Sequence, residues 1–170
     1  MKKSLLIFAA ALLVGGATHA QSAADLDTKY GFRDVKFETD TSAIEGLVTG
    51  TATPLKLLAS RPTDSRKIGQ AAINAITYGF YQGKLYEVNI VAKGLTNAHA
   101  LREALESQYG EGTLVAAMGQ DRNWDGKQVR LTYREDPAFH DATVRFTCKK
   151  LNEQLQAAQK MVKKAAASDL

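Results

Sequence analysis

The sequence predicts an α+β domain: an antiparallel sheet with tight hairpins, covered by one central helix and followed by a C-terminal helix. Three observations carry this reading. Segments with apolar residues at alternating positions come in pairs separated by turn residues, most clearly in "INAITYGFYQGKLYEVNIVAKG" from residue 73. The stretch "TNAHALREALESQYGEG" from residue 96 changes to helical spacing. Beyond Lys149 the period is helical again and continues to the end of the chain.

The first twenty residues read as a leader. Lys2 and Lys3 form a basic start, Leu5 to Val14 is unbroken apolar sequence, and Thr18 and Ala20 are the small residues of a cleavage site. The apolar run is well short of the ~20 residues that span a bilayer, and no second run of that length follows. Export to the periplasm or beyond is therefore expected, with no transmembrane segment after cleavage. Of 22 basic residues the leader removes two, leaving 20 against 18 acidic ones, or +2 on a mature chain of 150 residues. That balance, with export, argues against a nucleic-acid partner. One domain is expected, long enough to fold on packing alone. The single Cys148 can form no internal disulfide.

Along the mature chain, residues 21–30 lack periodicity and read as a flexible lead-in, residues 31–148 as the α+β domain, and residues 149–170 as a basic amphipathic helix. "FRDVKFET" reads as a strand. Ser42 and Glu45 have the spacing of a capping box, predicting a short helix over 42–47. "LKLLAS" is a further strand and "RPTDSRKIGQ" a polar connection. In the hairpin, Ile76, Tyr78 and Phe80 share even parity with Tyr86, Val88, Ile90 and Ala92. A three-residue loop at Tyr81-Gln82-Gly83 would put both sets on one face, pairing Tyr78 with Tyr86, with Gly83 left-handed. Ala98, Leu101, Leu105 and Tyr109 mark the buried stripe of the central helix, capped by Thr96 or Asn97 and ended by Gly110. "TLVAAM", "KQVRLTYRE" and "ATVRFTCK" read as further strands.

"YGFRDVKFETDTSAIEGL", then "ITYGFYQGKLYEVNI" and a helix ending in Y-G-x-G, resemble a group of small exported bacterial proteins of unassigned function. The likeness spans roughly residues 30 to 135 and is carried by a GFRxxKF leading strand and a YGFYxGKLY hairpin. It implies the fold and export, and brings no catalytic or ligand residues with it.

"DRNWDG", residues 121–126, has the spacing of half a calcium loop. The residues at the eighth and twelfth positions, Gln128 and Thr132, cannot complete one, and Asp125-Gly126 is a strong two-residue turn signal. A hairpin turn is expected there, and no metal or other cofactor is implied. Catalytic signals are thin: a hydrolase using His140 and Asp141 or Cys148 is the alternative reading, while the strand parity of Cys148 with Val144 and Phe146 favours burial. The strongest functional pattern is distributed. Arg130, Thr132 and Arg134 form the polar face of one strand, and Thr143, Arg145 and Thr147 that of the next. If the strands pair, they present one arginine–threonine face suited to an anionic envelope component or an envelope protein. The expected function is that of a non-enzymatic binding domain, an inhibitor or assembly factor.

Overall fold

The computed structural model describes residues 18–116 and 119–168. The basic and apolar parts of the leader lie outside them. In chain order the elements begin with α1 (Thr18–Lys29), β1 (Gly31–Phe32), β2 (Val35–Lys36) and a 3₁₀ turn at Thr41–Ala43. Next come β3 (Val48–Ala52), β4 (Leu57–Ser60), β5 (Lys67–Ile68), β6 (Ala71–Ala72), β7 (Ala75–Tyr81) and β8 (Lys84–Ala92). The chain continues with α2 (Leu95–Tyr109), β9 (Thr113–Leu114), β10 (Arg122–Asp125), β11 (Val129–Glu135), β12 (Ala142–Cys148) and α3 (Lys149–Ser168). Eight strands form one antiparallel sheet in the order β3-β4-β7-β8-β12-β11-β10-β9, and β1–β2 and β5–β6 form separate ribbons.

Register sorts the side chains into two faces, because residues directly opposite in an antiparallel pair point the same way. Ile76, Ile90, Val144 and Tyr133 form one continuous row, and Tyr78, Val88, Phe146 and Leu131 the next. All eight are buried. Helix α2 covers this face with its predicted stripe of Ala98, Leu101, Leu105 and Tyr109. Its start departs from expectation: Gly94 occupies the cap position, with no side-chain cap bond from Thr96 or Asn97.

The expected flexible lead-in is instead helical. Leu26 of α1 is buried, and the Asp27 carboxylate accepts the backbone N–H groups of Lys127, Gln128 and Val129. Both anchors follow the predicted cleavage point, so a mature chain keeps them. "FRDVKFET" is not one strand: the chain reverses at Arg33, whose φ is +55°, to make the β1–β2 ribbon. The predicted helix over 42–47 shrinks to the 3₁₀ turn, and no side chain caps it.

The β7–β8 hairpin keeps the expected left-handed Gly83 but solves the parity differently. Tyr81 pairs with Lys84, so the loop is the two-residue Gln82-Gly83, both at positive φ (+50° and +76°). Gly79 pairs with Glu87 and Phe80 with Leu85, which leaves Tyr86 as the extra residue of a β-bulge. The bulge rotates Tyr86 off the core face. A Cβ at Gly79 would lie 3.2 Å from Tyr86 Cε1, so the ring lies over the glycine on the opposite side of the sheet. There α3 contacts β8, and Tyr86 is buried.

Candidate functional site: the groove under the C-terminal helix

The second sheet face carries the residues of the distributed pattern. Arg130 pairs with Thr147, Thr132 with Arg145, and Arg134 with Thr143, so each arginine opposes a threonine. Arg145 is thereby a diagonal neighbour of both other arginines, at about 7–8 Å between Cα atoms. The rows extend sideways from Arg145 to Asn89 and from Arg130 to Asp125.

All six predicted residues line one groove of about 580 Å³. Its floor is β11 and β12. Its wall is the first two turns of α3, through Lys149, Asn152, Glu153 and Gln156, and Glu87 completes the lining. The wall follows from the sequence change at Lys149. Leu151 and Leu155 are buried, so positions 149, 152, 153 and 156 face the other way, over the arginines. Because α3 starts where β12 ends, helix and floor meet at Thr147–Lys149.

The three arginines are not equivalent. Arg134 bonds the Arg122 and Tyr133 carbonyls through Nη1 and Asn123 Oδ1 through Nη2, with Asp121 3.5 Å from its Nε. Its guanidinium is consumed internally. Arg130 is held through Nε by Asp125 at 3.0 Å, and Arg145 through Nε by Asn89 at 2.9 Å with Glu87 at 3.5 Å. Among the described residues the Nη groups of Arg130 and Arg145 have no protein acceptor, and the Thr132 and Thr147 hydroxyls make no protein hydrogen bond. Lys149 Nζ lies 2.8 Å from Asp125 Oδ1, and with Arg130 it holds that carboxyl below its ordinary value. The face is thus less cationic than its arginines suggest, since Glu87, Asp121 and Asp125 offset part of their charge.

The "DRNWDG" stretch borders the same face. Asn123 and Asp125 lie on the polar side of β10 with Trp124 buried between them, and Asp121 immediately precedes the strand. Asp121 Oδ1 accepts the Glu135 N–H, Asn123 Oδ1 bonds Arg134, and Asp125 holds Arg130 and Lys149. Among the described residues no group of three or more His, Cys, Asp or Glu is placed to hold a metal ion. The expected two-residue Asp125-Gly126 turn is a longer loop, Gly126–Gln128, closed by Gly126 N–H to Val129 O and by Asp27. Extra residues in the loop let the Asp27 carboxylate gather the backbone donors.

The residues of the hydrolase alternative do not converge. Cys148 is fully buried, with Sγ 3.3 Å from the Tyr30 hydroxyl. It ends β12, whereas His140 precedes that strand; at about 3.3 Å per residue, some 20 Å or more separates them. Asp141 accepts the Gly94 N–H rather than serving His140. His140 Nδ1 instead lies 3.0 Å from Glu135 Oε1, and Tyr133 donates to the other oxygen at 2.7 Å. Burial would raise the Glu135 pKa, but the bonds from His140 and Tyr133 outweigh it and leave the carboxyl lowered.

One polar cluster has no counterpart in the sequence reading. The Asp64 side chain, 2% exposed, accepts the Tyr78 hydroxyl at 2.6 Å and pairs with Arg61, which also forks onto Asp34. The Arg61 bond is the main cause that brings Asp34 down to about 2. The only local signal is the Arg61-x-x-Asp64 spacing around Pro62, which alone is ordinary turn chemistry.

Comparison with known proteins brings no match: no family model, no curated protein and no solved structure aligns with the chain. Among the described residues no helix is long and apolar enough to cross a membrane.

Proposed function

We propose that this is an exported, non-enzymatic domain, periplasmic or secreted, that binds an envelope component or envelope protein in the groove under α3 and acts as an inhibitor or assembly factor. One observation carries the reading: six polar residues from two paired strands line a single groove, with a helix as its wall. Two of its arginines are held through Nε, and among the described residues their Nη donors have no protein acceptor. Such preorganised forks bind carboxylate or phosphate with less ordering cost than mobile side chains. The leader-like first twenty residues support the envelope as the setting.

The test is capture of anionic material from an envelope extract by the immobilised protein. The parent should retain a component that the Arg130→Gln/Arg145→Gln double variant does not. Equal capture by both would remove the groove from the account.

A further inference from the structure

The groove is bipolar, and its two sides point to one kind of ligand. We propose, resting on the binding role above, that it takes a small zwitterion of about dipeptide size, with its carboxylate on the sheet and its ammonium on α3. The floor offers the Nη donors of Arg130 and Arg145, with the hydroxyls of Thr132 and Thr147 beside them. The wall offers acceptors, Glu153 with Asn152 and Gln156, while the Lys149 ammonium beside them is engaged by Asp125 and the Gly126 carbonyl. Glu153 makes no ion pair with any described residue, whereas Glu87 is engaged by Arg145 and Asn89.

The charge arrangement selects against simpler ligands. A plain anion on the arginines would lie beside the unpaired Glu153 carboxylate, and a plain cation beside Glu153 would lie over the arginines. A molecule bearing both charges satisfies both walls. The volume, about 580 Å³, falls within the ~300–1,000 Å³ of small-molecule sites.

The probes are alanylalanine, its N-acetyl form and its C-terminal amide, each titrated into the isotope-labelled protein and followed by NMR. Alanylalanine should shift the signals of Arg130, Thr132, Arg145, Thr147 and Glu153. Blocking either end should weaken binding about tenfold or more, the loss of one charge-assisted hydrogen bond. Glu153→Gln should abolish the acetylation penalty and keep the amidation penalty, and the Arg130→Gln/Arg145→Gln double variant should do the reverse. Undiminished binding of the acetylated form would make this a simple anion site and overturn the proposal, as would no shift with any probe at tens of millimolar. If no dipeptide shifts the groove but an envelope extract does, the zwitterion inference fails and the binding role stands. If neither does, both fail.

Discussion

The Asp27 carboxylate gathers three successive backbone N–H groups a hundred residues away: Gln128 at 2.8 Å, Val129 at 2.9 Å, and Lys127. It fills the concavity of the β10–β11 loop as a bound anion would. Asp27→Ala should therefore lower unfolding free energy by about 2–3 kcal/mol, since it leaves several loop donors without their acceptor. Denaturant unfolding measures this. A change below about 0.5 kcal/mol, ordinary for a surface residue, would contradict the role assigned to α1. Gly126→Ala should also cost stability, because its Cβ would meet the same carboxylate.

Tyr109 makes the opposite case. Its hydroxyl is buried without a hydrogen-bond partner among the described residues, and burial pushes its pKa up to about 12. The ring itself packs edge-on against Phe146 at 6.2 Å. Tyr109→Phe keeps that contact and removes the unsatisfied group, so stability should stay level or rise by up to about 1 kcal/mol. A loss of more than that in a melting experiment would reveal a bond to the hydroxyl.

Glu135 predicts a pH dependence. Its carboxyl is lower in the folded protein than its ordinary value of 4.5. A depressed folded pKa contributes stability that is complete above the unfolded value and is lost as pH falls through the folded one. The parent should therefore lose stability below about pH 4.5, and Glu135→Gln should lose less over the same interval. Equal losses in denaturant midpoints would place the acid sensitivity elsewhere.

The hairpin gives a packing test. Ile90 is fully buried between Ile76 and Val144. Ile90→Ala should cost about 2–5 kcal/mol. Gly79→Ala should be costly as well, because Tyr86 and Glu87 Cβ crowd the site at 3.2 and 3.3 Å. If Gly79→Ala is neutral by thermal melting, the bulge is not where the pairing puts it.

What the sequence revealed and concealed follows from the range of each interaction. The alternation in β11 and β12 is local, so both the arginine–threonine face and the core face were legible, as was the stripe of α2. The bulge at Tyr86 was not, because an extra residue in the strand and a shorter loop give the same parity as a three-residue turn. Helix α1 has little periodic signal, since Leu26 and a side chain bonded to a distant loop hold it. Strand β3 was missed because its five residues are exposed, leaving no alternation to read. The site's wall depended on where α3 turns after Cys148. The unequal roles of the three arginines depended on acceptors from β8 and β10, which only register brings near.

The most direct test of the groove is an amide-shift map of the labelled protein during titration with a soluble envelope extract. Perturbations should be confined to residues around Arg130, Thr132, Arg145, Thr147 and the first two turns of α3, and should be lost in the Arg130→Gln/Arg145→Gln variant. Perturbations centred instead on the His140 end of the sheet, or shifts that survive in that variant, would contradict it.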